Sequence, residues 1–255
     1  MDASPPQPDG PSRGSPRVPA ARVVGAFVLD LLLALVAFVA VAACVGLLAL
    51  AFGHALDDGA EDLASLLGLS LAMMAAALAP YLLRRRATAA EVSGARAALA
   101  RGSTWGWMVA TLATLLALSL GLEWLDAWRG LGLEASNEQP IAALLGTAPL
   151  ATVVYVVLLA PVFEELLFRR VLFGRFLAAG RPGLGYVLTG ALFASLHEFA
   201  GLSTGDALQT ALLWMLYFAM AVGLAWVYRR TGSLWAPVLV HMANNALGLW
   251  LMLGG

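Results

Sequence analysis

Seven apolar stretches, each near the ~20 residues that cross a bilayer, set the limits on what this 255-residue chain can fold into. They lie at about 23–53, 63–83, 105–125, 141–163 (continuing as a helix past the arginines that follow), 184–200, 207–228 and 234–252. With 61% hydrophobic and 12% charged residues, against about 25% charged in ordinary globular chains, the chain is unsuited to be a soluble domain. The expected fold is all-α: one polytopic membrane helix bundle of about seven transmembrane helices. Residues 1–21 hold six prolines without periodicity and read as a disordered cytosolic tail. No basic stripe interleaved with aromatics is present, which excludes nucleic acid as a partner. No internal repeat of the kind that marks many transporters is visible.

Arginine placement orients the bundle. Fourteen of the fifteen arginines fall before the first span or in the 2–3, 4–5 and 6–7 connections, leaving Arg129 alone on the other side. The opposite connections carry Asp57, Asp58, Glu61, Asp62, Glu123, Asp126, Glu134 and Glu138. The positive-inside rule makes the arginine side cytoplasmic. The expectation is an integral protein of the cell (inner) membrane with a cytoplasmic N-terminus and, after seven spans, an outward C-terminus.

Ionisable residues at membrane depth are costly and mark function. Three patterns place them there: Glu164-Glu165-x-x-x-Arg169, Phe193-x-x-x-His197 and His241-x-x-x-Asn245. On a helix Glu165 and Arg169 are i,i+4 with the acid first, the favourable order for an ion pair. Glu164 is rotated about 100° from Glu165 and is free to face the bundle interior. There, desolvation would carry it toward the range of a general base. Arginines follow at once, which puts Glu164 toward the cytoplasmic end of its span. Two imidazoles and a carboxylate are the ligand set of catalytic zinc. Without metal they could orient a water, with Asn245 as oxyanion donor. The spacing alone leaves both mechanisms open.

Pro161 and Pro237 precede the key residues by three and four positions and would free the carbonyls of Val157 and Ser233. Such breaks are tolerated where helices line a cavity. Asp30 reads as a solvated or snorkelling residue, Glu198 as outer-loop lining, His54 as solvent-exposed and Cys44 as a small packing residue. Asn244 ranks behind Asn245, and a serine-protease role for Ser195 is weak. Trp105, Trp107, Trp124, Trp128, Trp226, Trp235 and Trp250 sit near span ends as an aromatic belt.

With these three motifs in order on successive helices, the sequence resembles the family of CAAX proteases and bacteriocin-processing enzymes, the CPBP or Abi-type intramembrane proteases. The resemblance covers roughly residues 141–252. It implies a membrane endopeptidase with Glu164 as the base activating water. By the same resemblance, His197 and His241 would bind metal or polarise that water, Asn245 would steady the oxyanion, and Arg169 would order the acidic pair. Glu164, His197 and His241 would hold one divalent ion, zinc first, although a metal-free glutamate mechanism has also been argued for the family. Residues 141–255 then form the catalytic core and 22–140 three accessory transmembrane helices. The expected partners are the lipid bilayer and a membrane-associated protein or peptide substrate. Two other functions fit the residues: a proton-coupled transporter whose Glu and His relay protons, and a non-catalytic bacteriocin-immunity or interaction protein.

Overall fold

The computed structural model describes residues 18–52, 58–198 and 205–254, and every regular element among them is a helix. The helices are α1 (Ala20–Phe52), α2 (Asp58–Arg84), α3 (Ala89–Leu99), α4 (Gly102–Arg129) and α5 (Glu138–Thr147). They continue as α6 (Pro149–Ala178), α7 (Pro182–His197), α8 (Ala207–Thr231) and α9 (Trp235–Met252). Helices α1, α2, α4, α6 and α8 are long and apolar enough to cross a membrane. Helices α7 and α9, at 16 and 18 residues, span about 24 and 27 Å and complete a bundle of seven. Residues 1–17 of the tail, His54 and Asp57 lie outside the described residues.

Polar contacts sort the helix ends into two faces. At the arginine-rich end, Arg84 and Arg175 both pair with Asp30, Arg181 donates to the Val18 carbonyl (2.7 Å), and Arg101 donates to the Thr231 carbonyl (3.2 Å). At the acid-rich end, Ser136 donates to Glu198, Thr147 to Asp62, and Gln209 to the Leu131 carbonyl. Gly185 lets α7 lie directly against α6, because a Cβ there would stand 2.8 Å from Phe176 and 2.9 Å from Phe173. Phe168, Val171, Leu172, Phe176, Phe193, Leu224 and Val227 form the core between α6, α7 and α8, toward the arginine-rich end.

Several sequence expectations change. Asp30 is not solvated: it is fully buried and held by two guanidinium groups from α2 and α6. A carboxylate one-third of the way along an apolar helix is tolerated because its charge is paired on both oxygens. Cys44 is exposed on α1 rather than packed, since the outer face of that helix meets no other element. The fourth span does not begin at 141: the chain breaks at Ala148, and Pro149 opens α6. Because α6 runs on to Ala178, Glu164 sits at mid-helix, about 22 Å from its acid-rich end.

Helix α3 was not expected as an element. Thr88 caps it in a reciprocal box with Glu91, and Arg170 binds both Glu91 oxygens at 2.8 and 2.9 Å. The Arg170 hydrogen bonds, aided by Thr88, lower the Glu91 pKa to about 2. A depressed carboxylate stabilises the fold above the ordinary carboxylate range and loses that contribution as pH falls through the folded value. Glu91 is half-exposed, so Glu91→Gln should cost only about 0.2–1 kcal/mol at pH 7. Melting of wild type and variant in detergent should converge as pH falls from 4.5 toward 2; a gap that widens on acidification would exclude this role.

Candidate active site

Helix α6 carries the glutamate pair between two π-helical stretches, Tyr155–Leu159 and Leu166–Phe173. Such turns are rare and recur at functional sites. The first is set by Pro161. In the π register the Ala160 N–H binds the Tyr155 carbonyl, so the next carbonyl, that of Val156, is the one left without a donor by the proline. Asn245 fills the gap, its Nδ2 donating to the Val156 carbonyl at 2.9 Å. The expected free carbonyl, Val157, is thus displaced by one residue. Pro237 breaks nothing: it lies in the first turn of α9, where its missing N–H has no helical partner to lose. The Ser233 carbonyl accepts from the Ala236 N–H and from the Thr231 hydroxyl.

Glu165 and Arg169 are sealed from solvent, at 0% and 2% exposure, with Glu165 Oε2 and Arg169 Nε 2.8 Å apart. The guanidinium also lies over the Phe193 and Phe168 rings, 5.2 and 5.8 Å from their centroids. Such cation–π contacts add to the pairing of a desolvated cation. The second Glu165 oxygen accepts from His241 Nδ1 at 2.9 Å. A carboxylate has no proton to give, so Nδ1 carries the hydrogen, and in the neutral form of the ring Nε2 is then the bare nitrogen. His197 is fixed by the same logic: its Nδ1 donates to the Phe193 carbonyl at 2.9 Å, again leaving Nε2 bare.

Both Nε2 atoms face Glu164. Its Oε2 lies 3.8 Å from His241 Nε2 and 3.9 Å from His197 Nε2, although 77 residues separate Glu164 from His241 in sequence. That oxygen is buried without a hydrogen-bond partner among the described residues. Glu164 is the less buried glutamate, at 14% exposure. It forms the floor of a cavity of about 940 Å³ that His197, His241, Asn244, Asn245, Tyr155 and Tyr217 also line. Helices α2 and α4 contribute wall residues as well, Leu66 and Leu115 among them.

Phe193 does more than mark a motif. Its ring stacks on His197 (4.1 Å between centroids), meets Phe168 edge-on (5.0 Å) and receives Arg169. It therefore joins the buried ion pair to the imidazole. Tyr217 covers the other side of His197 at 4.8 Å and donates to Asn137 Oδ1 at 3.2 Å. The sequence reading gave neither residue a role; Tyr217 lies outside every motif and only its packing reveals it. Asn244 lines the same cavity and donates weakly to the Met220 sulfur at 3.7 Å. Glu198, just past the end of α7, is buried and accepts from the Ser136 amide and hydroxyl. Ser195 is turned away, accepting from Trp214 Nε1 at 3.1 Å.

The donors suit a divalent metal in kind: two bare imidazole nitrogens and an unpaired carboxylate oxygen, with Glu165 locking one ring from behind as carboxylates lock metal-ligating histidines. They stand wider than a closed ligand set. Among the described residues no group of three or more His, Cys, Asp and Glu side chains is drawn together as a metal cluster.

Comparison with known proteins places these residues in context. Residues 146–247, which contain all three motifs, match the family model described as "Type II CAAX prenyl endopeptidase Rce1-like". A Bacillus subtilis protein named "Putative membrane peptidase YdiL" is 31% identical over 116 residues, 46% of this chain and 43% of that relative. The chain thus aligns with less than half the length of that relative. No solved structure matches the chain. Over residues 146–247, which carry the motif residues and the geometry described above, the chain is thus similar to the Rce1-like type II CAAX prenyl endopeptidases and, in part, to a putative membrane peptidase.

Proposed function

We propose that this protein is an intramembrane endopeptidase that hydrolyses peptide bonds of membrane-associated proteins or peptides, with Glu164 activating the water. One observation carries the reading: a carboxylate oxygen without a hydrogen-bond partner among the described residues faces two imidazole nitrogens, each set by a hydrogen bond on the opposite side of its ring. A water at Glu164 can give one hydrogen to the carboxylate and the other to an Nε2, which aims its oxygen at a substrate carbonyl. As the C–O bond forms, Glu164 takes the proton. It then returns that proton to the amine as the C–N bond breaks, yielding a carboxyl and an amino terminus. One Asn245 amide hydrogen is held by Val156, leaving the other as the donor for the developing oxyanion. Glu165 and Arg169 hold His241 in the required tautomer and take no part in proton transfer. The floor below Glu164 is closed by buried aromatics, which suits a reaction chamber better than a transport path.

Bound at Glu164, His197 and His241, a divalent ion such as zinc would supply Lewis acidity to the water. Elemental analysis of the purified protein tests this apart from turnover. About one metal ion per chain, lost in His241→Ala, assigns the imidazoles to ligation; an active preparation with none assigns them to orienting water. The peptidase reading is tested by mass-spectrometric detection of cleaved peptides in detergent, and by substrate trapping in native membranes with Glu164→Gln against wild type. Cleavage unaffected by loss of Glu164, or no cleavage at all, would reject it.

A further inference from the structure

The chamber that ends at Glu164 is one-sided. Its wall residues come from the acid-rich halves and the middles of the helices, including Leu66 of α2, Glu123 of α4, Tyr155 of α6, Tyr217 of α8 and Trp250 of α9, and it reaches no further toward the other end than His241, within the second turn of α9. No residue of the connections at the arginine-rich end lines it among the described residues. Toward that end the way is filled by the Glu165–Arg169 pair and by Phe168, Leu172, Phe173, Phe176 and Phe193, none more than 3% exposed. The charge asymmetry is a separate observation: among the described residues twelve of the thirteen arginines lie toward the closed end, which the positive-inside rule assigns to the cytoplasm.

We infer that substrate reaches Glu164 from the non-cytoplasmic side of the membrane, as a segment carrying basic residues. This rests on the peptidase reading of the same site. The entrance favours a cation because, among the described residues, every carboxylate or guanidinium side chain lining the chamber is acidic: Glu123, Asp126 and Glu138 near the mouth and Glu164 at the floor. Asp126 is fixed at the rim by the Gly132 and Leu133 amides, at 2.7 and 3.2 Å. Glu138 is pushed above the usual carboxylate range, first by desolvation and then by the like charges of Glu134, Glu123 and Glu198. A lysine or arginine side chain entering there relieves that repulsion, whereas an acidic one adds to it. A scissile bond near the outer leaflet, flanked by basic residues, is the substrate this entrance fits.

Two vesicle preparations from one expressing strain, right-side-out and inverted, separate the possibilities. A membrane-impermeant peptide with lysines flanking its cleavage site should be cut at least about tenfold faster by right-side-out vesicles, and Glu164→Gln should remove the difference. Faster cutting by inverted vesicles would overturn the access side. In detergent, where both faces are open, the lysine-flanked peptide should exceed a glutamate-flanked one about five- to tenfold in kcat/KM, as one or two rim charge pairs allow. The ratio should approach one in Glu123→Gln/Glu138→Gln. Parity in the wild type would overturn the charge preference while leaving the peptidase reading standing. Hydrolysis of neither peptide in detergent would instead overturn the peptidase reading. Access is then read independently, by labelling of Pro140→Cys, but not Ala90→Cys, with an impermeant maleimide in a Cys44→Ala background on right-side-out vesicles. The reverse labelling pattern would overturn the access side.

Discussion

Glu164→Gln is expected to lower peptide hydrolysis by about 10²–10⁴-fold, the usual contribution of a general base, while the protein inserts and melts like wild type. The amide keeps the shape of the carboxylate but cannot take a proton from water. The fold should lose no stability, because Glu164 Oε2 makes no hydrogen bond among the described residues and its nearest polar neighbours stand 3.8 and 3.9 Å away, so the amide breaks no bond that the carboxylate made. Rates and thermal melts on the same detergent preparation give both numbers. Suppose Glu164→Gln kept most of its activity while Glu165→Gln abolished it without loss of stability; the base would then be Glu165 and the roles derived above would be inverted.

Arg169→Gln should act in the opposite way, on the fold first. It removes one member of an ion pair whose partners are 0% and 2% exposed, leaving Glu165 as an uncompensated buried charge. Losses of this kind cost about 3–5 kcal/mol. Glu165 can escape by taking a proton, but a protonated carboxyl donates to His241 Nδ1 where it had accepted. The His241 hydrogen then moves to Nε2, toward Glu164, and the bare nitrogen that orients water is gone. Activity should therefore fall together with stability. Glu165→Gln should resemble it, stranding the guanidinium instead, and the double change Glu165→Leu/Arg169→Leu should recover a large part of the melting temperature without recovering activity. An Arg169→Gln protein as stable as wild type would mean that the pair is solvated or replaced, contrary to its burial.

Much of this protein was determined by local sequence. The apolar runs specify helices that must cross a bilayer, because backbone groups there have no water to bind and must be satisfied within the segment. The i,i+4 spacing specifies the Glu165–Arg169 pair, since one turn brings the two side chains together whatever surrounds them. The motif residues could be named as site residues for the same reason: an ionisable group within an apolar run is exceptional on its face.

Tertiary structure decided what depends on partners distant in sequence. Asp30 could not be recognised as buried and paired, because Arg84 and Arg175 lie 54 and 145 residues away. Nor could the sequence show that Asn245 caps the Val156 carbonyl: that bond follows from a π turn that shifts the register before Pro161 and from the placement of α9 beside it, 89 residues on. The histidine tautomers follow from the Phe193 carbonyl and the Glu165 carboxylate, one local and one 76 residues distant. The direction in which the chamber opens is a property of helix ends assembled in space. Charge counting assigns the sides of the membrane, but only packing closes one of them, by filling it with Phe168, Phe173, Phe176 and Phe193.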